Sequence, residues 1–258
     1  MELYDQLLGK GRQALDDEEY PAALTLFRQA AEINPDSAEL CLLTGDALVE
    51  SGKLQEARVA LLRGLELEPH NLDLLYALGD LCLEMGLIDE AAKRYQNIVD
   101  NDGSEADAWV SLALVYLNQE QLAEAETAGR RAVALEPEST FALTALADIC
   151  FAQGHEDEAL ACYQKVLALE PEDAQAHLGI GDYYYDTGDL PQAERHCRKA
   201  LEQDAGLAFA WLTLGNLCLD QERDDEALDC FQKFLTCEID PASEQIRAEV
   251  AAVVEGLK

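Results

Sequence analysis

Apolar positions recur along this chain at helical spacing, and the whole pattern then repeats. In the stretch LDLLYALGDLCLEMG, Leu75, Leu78, Leu81 and Cys82 fall at i, i+3, i+6 and i+7, one stripe of an amphipathic helix. Gly86 stops that helix. A second begins near Asp89 and sets Ala91, Tyr95, Ile98 and Val99 on one face. Displacing the sequence by 34 residues superimposes Ala23, Ala57, Ala91, Ala125, Ala159, Ala193 and Ala227, all alanine. The column of Gly11, Gly45, Gly79, Ala113, Ala147, Gly181 and Gly215 holds only the smallest residues. A bulkier column runs Leu7, Cys41, Leu75, Trp109, Leu143, His177, Trp211, and a largely aromatic or aliphatic one Phe27, Leu61, Tyr95, Gly129, Tyr163, Cys197, Phe231. The period holds without insertion from Tyr4 to Pro241, seven times 34 residues.

Proline fixes the phase of the two helices in each unit. Pro21 and Pro191 stand near the start of the second helix, where a missing N–H costs nothing. Pro35, Pro69, Pro137 and Pro171 end it. Each unit is thus predicted to be an antiparallel helix pair, with the small columns letting the helices approach and the bulky ones filling the space around the contact. One such hairpin cannot bury its own apolar face, so the units must stack. The predicted units are residues 4–37, 38–71, 72–105, 106–139, 140–173, 174–207 and 208–241, followed by a helix over 242–258.

These residues carry a family resemblance. Trp211, Leu214, Gly215, Ala227 and Phe231 read as one copy of the tetratricopeptide repeat (TPR) motif, and Trp109, Leu112, Tyr116, Ala125, Ala132 and Pro137 as another. The resemblance spans 238 of the 258 residues, Tyr4 to Pro241. It implies an all-α fold, a right-handed α-solenoid of helix–turn–helix repeats with a C-terminal capping helix. It also implies a concave groove lined by the first helix of each repeat and an outer face made by the second. The chain departs from the motif at Lys10 and Thr44 (for leucine), Gly129 and Cys197 (for the aromatic), and Gly103 and Ala205 (for the closing proline), while Pro241 comes two residues late. The two positions without proline are read as joints.

At the ends, Ile246, Val250, Val253 and Leu257 are predicted to cover the last repeat, leaving Arg247, Glu249 and Glu255 in water. Gly9 and Gly11 lie inside the first helix, each costing about 1 kcal/mol relative to alanine, so that helix is expected to be weak.

Charge changes the picture most. The chain has 52 acidic and 18 basic residues, a formal net charge of −34. That surface repels nucleic acid and anionic membranes and favours basic partners. The opening residues show neither the basic nor the apolar region of a secretory leader, and no apolar run reaches membrane-spanning length. With eight cysteines and no CxxC, a cytoplasmic protein with buried thiols is expected.

From the second repeat onward the first helices contain no Lys or Arg but carry eleven acids, Glu39, Asp46, Glu50, Asp73, Asp80, Glu84, Asp107, Asp148, Asp182, Asp186 and Asp220. One groove column is acidic or amide: Asp46, Asp80, Asp148, Asp182 and Asn216, broken by Leu114. The column one turn earlier is apolar: Leu42, Tyr76, Val110, Leu178 and Leu212, broken by Thr144. One turn later it is apolar throughout: Leu15, Val49, Leu83, Leu117, Phe151, Tyr185, Leu219. Single acids on a helix usually just face solvent. Apolar residues in register beside them point instead to an interaction surface.

The expected function is an adaptor or scaffold, not an enzyme, whose groove holds a protein or peptide with a basic amphipathic segment. The basic clamp with which some TPR proteins capture a chaperone's terminal carboxylate is missing here. The alternative is a homo-oligomer, as in magnetosome-associated TPR proteins, with the first helix and its Lys10 and Arg12 inserted into a second copy.

No cofactor is expected. Cys82, Cys150 and Cys218 read as core. Cys162, His196 and Cys230 share a phase, but stacked helices about 8–10 Å apart do not bring ligands within about 2.3 Å of one zinc. One carboxylate per repeat is not a calcium cage. None of the four histidines is set by sequence beside a nucleophile.

Overall fold

The computed structural model describes residues 2–257, so Lys258, the last residue of the helix expected over 242–258, lies outside the described residues. The helices run α1 Glu2–Asp16, α2 Tyr20–Ile33, α3 Ala38–Glu50, α4 Leu54–Leu67, α5 Leu72–Glu84, α6 Ile88–Asn101, α7 Ala106–Asn118 and α8 Leu122–Leu135. They continue as α9 Thr140–Ala152, α10 Glu156–Leu169, α11 Ala174–Asp186, α12 Leu190–Gln203, α13 Ala208–Asp220, α14 Asp224–Cys237 and α15 Glu244–Leu257, with a 3₁₀ turn at Pro241–Ser243. From α3 to α13 the first helices begin at 38, 72, 106, 140, 174 and 208, each 34 residues after the last. No helix among the described residues is long and apolar enough to cross a membrane.

Each first helix pairs with the second helix that follows it. The stripes predicted for the third repeat are buried: Leu75, Leu78, Leu81 and Cys82 on α5, Ala91, Tyr95, Ile98 and Val99 on α6. Gly79 shows why the small column is small, since a Cβ there would lie 2.7 Å from the Tyr95 ring. Gly11 is likewise held under Phe27, where a Cβ would meet the ring at 2.3 Å. The second glycine of α1 is therefore required by packing rather than a weakness; Gly9, with nothing within 4 Å, carries only the cost.

The turn inside each hairpin needs one residue with positive φ, and it falls at the same phase every time. Gly52, Gly86, Gly154 and Gly188 supply it freely, whereas Glu18, Glu120 and Glu222 adopt it at φ 58 to 60°.

Side-chain oxygens cap four first helices at their N-termini: Ser37 accepts from Leu40 N, Asn71 from Leu74 N, Ser139 from Ala142 N and Asp173 from Ala176 N. At α7 and α13 the equivalent residues, Glu105 and Leu207, make no such bond. These are the repeats whose preceding proline is replaced by Gly103 or Ala205, and other bonds hold the loops. Trp109 Nε1 donates to Gly103 O at 3.1 Å and Trp211 Nε1 to Ala205 O at 2.9 Å. Asp102 accepts from Ser104 N and Asp204 from Gly206 N. The positions read as joints are thus tied loops.

The division of the chain falls elsewhere. Its contacts form two compact units, Met1–Leu135 and Glu136–Lys258. The first holds α1 to α8 around a core that includes Leu61, Leu74, Leu78, Tyr95 and Leu112, with a satellite core of Leu8, Ala23 and Phe27 under α1. The second holds α9 to α15, with Cys197, Leu214, Phe231 and Phe234 at its centre. Its last helix is turned by one residue from expectation. Val250 and Val254 are buried, while Ile246 and Val253 are 38% and 39% exposed. The stripe that meets α14 follows i, i+4, i+7 through Val250, Val254 and Leu257, which also leaves Arg247 half-buried rather than in water.

Candidate peptide-binding groove

The predicted groove positions all lie on first helices. Unit 1 carries Leu42, Asp46 and Val49 on α3, Tyr76, Asp80 and Leu83 on α5, and Val110 and Leu117 on α7. Unit 2 carries Asp148 and Phe151 on α9, Leu178, Asp182 and Tyr185 on α11, and Leu212, Asn216 and Leu219 on α13. Within a helix these phases are i, i+4 and i+7, so they share a face.

The three columns differ in exposure. In the last, Leu15, Val49, Leu117, Phe151, Tyr185 and Leu219 are half-buried and Leu83 is exposed; none is enclosed. Leu15, Val49, Tyr185 and Leu219 pack one side against the cores, yet all seven keep partial contact with water, which leaves an apolar strip open to a partner. In the first column Leu42, Tyr76 and Leu212 are half-buried. Val110 and Leu178 depart from expectation: at 1% and 7% exposure they are core residues, Leu178 packing with Ala210 and Leu214.

The acidic column is held from beneath. Tyr95 Oη donates to Asp80 Oδ1 at 2.6 Å, and Tyr163 Oη to Asp148 Oδ1 at 2.5 Å, each across its own hairpin. Thr213 Oγ1 donates to Asp182 Oδ1 at 2.8 Å, and Tyr185 Oη to Asp220 Oδ2 at 2.9 Å, both between α11 and α13. Burial, then the adjacent carboxylate, pushes the Tyr95 and Tyr163 phenols far above their ordinary value, so they stay protonated donors. The same loss of water pushes the Asp46 and Asp182 carboxyls up to about 6. Glu50 and Asp73 add repulsion at Asp46; at Asp182 the Thr213 bond offsets part of the rise. Asp148 is also raised by burial of its inner oxygen, against the Tyr163 bond that lowers it.

In unit 1 these elements converge on a cleft of about 470 Å³ between α3 and α5. Leu42, Val49, Leu61, Tyr76, Ala77 and Leu81 form its apolar surface, and Asp46, Glu50, Asp73, Asp80 and Glu84 supply five carboxylates. Leu83, Val110 and Leu117 stand outside it. No lysine or arginine lies on α3, α5, α7, α9, α11 or α13. Such a cleft suits an aliphatic stem ending in a cation: apolar walls for the methylenes, carboxylates for the charge.

Sequence reasoning missed the supporting phenols. Their signal was present, because the aromatic column follows the acidic one by fifteen residues and carries Tyr rather than Phe, Leu or Cys at Asp80 and Asp148. It also left His177 and His196 apart. Their Nδ1 atoms are 3.0 Å apart, and His177 Nε2 lies 3.2 Å from Pro171 O. Burial holds both imidazoles below their usual pKa, His196 at about 4, so the pair is neutral at pH 7. Among the described residues no group of three or more His, Cys, Asp or Glu side chains is placed to share a metal ion.

The family of the cilia and flagella-associated protein 70 C-terminal domain matches residues 8–253. No curated protein sequence matches the chain. A TPR protein of Parabacteroides merdae is similar in structure at a TM-score of 0.84 and 19% identity, over 99% of this chain and 100% of that one. MamA is similar at 0.56 and 27% identity, over 62% of this chain and 94% of its own. YrrB, described as a TPR protein with an unusual peptide-binding site, is similar at 0.57 and 23% identity, over 71% of this chain and 95% of its own. Helix pairs at a 34-residue period and the match over residues 8–253 agree: the chain belongs to the tetratricopeptide-repeat proteins, in the family of the cilia and flagella-associated protein 70 C-terminal domain.

Proposed function

We propose that this chain is a non-catalytic adaptor whose first helices bind a basic amphipathic segment of another protein. The observation that carries the reading is the pairing of two properties on one set of helices. From α3 to α13 they are free of positive charge, and their last groove column stays apolar yet open to water. Apolar contacts would supply most of the affinity, while the acids would speed encounter and select for Lys or Arg. The peptide-binding site named for YrrB agrees with such a role.

Self-assembly through α1 has less support. Tyr4 Oη donates to Ser37 Oγ, Arg12 pairs with Glu39, and Gly11 fits under Phe27 within the same chain. These contacts engage the helix that a second copy would need.

Selecting peptides from a random display library on the purified chain tests the proposal. It expects a consensus with Lys or Arg spaced among apolar residues at i, i+3 or i+4. Enrichment of acidic peptides would refute it.

A further inference from the structure

Cys41 occupies a place that larger residues take in every other repeat. Its column reads Leu7, Cys41, Leu75, Trp109, Leu143, His177, Trp211. Where the residue carries a ring N–H, that group faces the backbone carbonyl six positions earlier. The distances are 3.1 Å for Trp109 to Gly103, 2.9 Å for Trp211 to Ala205 and 3.2 Å for His177 to Pro171. In the second repeat the equivalent carbonyl is that of Pro35, and among the described residues no group donates to it.

The space left by the small side chain is open. A cleft of about 650 Å³ lies over Cys41, walled by Ala31, Pro35, Leu40, Leu48, Val59 and Ala60. The corresponding cleft two repeats on, where Trp109 is in place, measures about 370 Å³ and has Leu112, Tyr116 and Thr127 in place of Thr44, Leu48 and Val59. The second repeat thus keeps the acceptor of an indole site, and Glu56 and Ala60 where the fourth has Glu124 and Ala128, without the indole and with smaller side chains around the space.

We infer that the Cys41 cleft binds an indole ring, the side chain of a tryptophan on a partner polypeptide, with its N–H donating to the Pro35 carbonyl. Val59, 68% exposed, stands at the mouth, so a ring enters from solvent while the peptide that carries it stays outside. The rim favours cations beside that tryptophan. Its one arginine, Arg63, is paired with Asp36 and Glu66 at 2.8 Å each, and Glu56 adds a further negative charge. Cys41, Thr44 and Leu48 are centred about 130° around α3 from Leu42, Asp46 and Val49, at about 100° per residue. The indole site is therefore separate from the groove and does not depend on it.

Titrating the full-length chain with N-acetyltryptophanamide, followed by amide NMR shifts, tests the inference. The expected result is saturable, millimolar binding that shifts residues around Cys41, Thr44 and Ala60. Methylation of the indole nitrogen should weaken it about three- to tenfold, the worth of one hydrogen bond. Cys41→Trp should fill the site as Trp109 does in its own repeat and abolish the shifts. Should that variant fold poorly, Cys41→Leu, the residue used at Leu75 and Leu143, should still weaken binding. A tryptophan flanked by lysines should bind at least about tenfold more tightly than the amide, because contacts outside the cleft add to it. Absence of shifts at the cleft, equal binding of N-acetylleucinamide, or binding unchanged by either Cys41 variant would overturn the site. Equal affinity for the small amide and the lysine-flanked peptide would overturn its assignment to a partner protein.

Discussion

Tyr95 reaches under Asp80 across the third hairpin, its hydroxyl 2.6 Å from the carboxylate, and so ties the buried face of α6 to the acid on α5. Tyr163 does the same for Asp148 two repeats on. Removing either hydroxyl leaves the carboxylate to solvent on one side and to an unfilled donor position on the other. Tyr95→Phe and Tyr163→Phe should each cost about 1 kcal/mol in urea unfolding, the usual net worth of one such bond. A loss below the error of the measurement would mean that the carboxylates are not held there.

Stability should rise as the solution is made mildly acidic. Asp46 and Asp182 have folded-state pKa values of about 6 against an ordinary 3.8. A raised carboxyl contributes stability that is fully present below the unfolded value and lost as pH rises through the folded one, here between about 4 and 6. Relief of self-repulsion in a chain of net charge −34 acts in the same direction. The His177–His196 pair opposes both. Its depressed pKa values contribute stability present above 6.5 and lost as pH falls toward about 4. Melting temperature should climb from pH 7.5 to 5.5. Asp46→Asn with Asp182→Asn should flatten the climb, and His196→Gln should steepen it.

The positive-φ glutamates offer a gain. Glu120→Gly and Glu222→Gly place glycine where Gly52, Gly86, Gly154 and Gly188 already stand. Each should stabilise the chain by about 1 kcal/mol, the cost of a left-handed conformation for a residue with a Cβ. Glu124→Gly, inside α8, should destabilise it by a similar amount. Chemical denaturation of the single variants separates the two signs.

Trp109 and Trp211 compensate for the missing prolines and caps of their loops. Trp→Phe at either site keeps most of the apolar volume and removes the N–H. It should cost about 1 kcal/mol and speed amide exchange at residues 102–106 or 204–208. Unchanged exchange in those loops would contradict the role given to the indoles.

How much of this was legible beforehand follows from what a repeat makes visible. Every position that must be small, bulky or proline is sampled seven times, so the hairpins, their order and the charge-free first helices stood in the columns. What escaped depends on pairs of columns. Asp80 and Tyr95 are each ordinary alone, and their contact needs the hairpin geometry that places positions fifteen apart face to face. Exposure within a column escaped too: Leu42 and Val110 are aliphatic residues at the same groove phase, yet only Val110 is enclosed. The cleft at Cys41 is the reverse case: a small residue stands in a bulky column, and only the structure shows the open space it leaves. Gly103 and Ala205 misled because absence of proline says nothing of the tryptophan six residues on.

Electrostatic capture over apolar contacts in the proposed groove is tested by one binding series. A peptide selected on the chain would be titrated by calorimetry against the wild type and an Asp46→Asn, Asp80→Asn variant, at low salt and at about 1 M, where charges are screened beyond about 3 Å. Asparagine preserves the acceptor for Tyr95 and removes only charge. Affinity should fall at least about tenfold in high salt, the variant should be weaker than wild type at low salt, and the two should converge when salt is high. Equal affinity of the two proteins at low salt, with no response to salt in either, would contradict it.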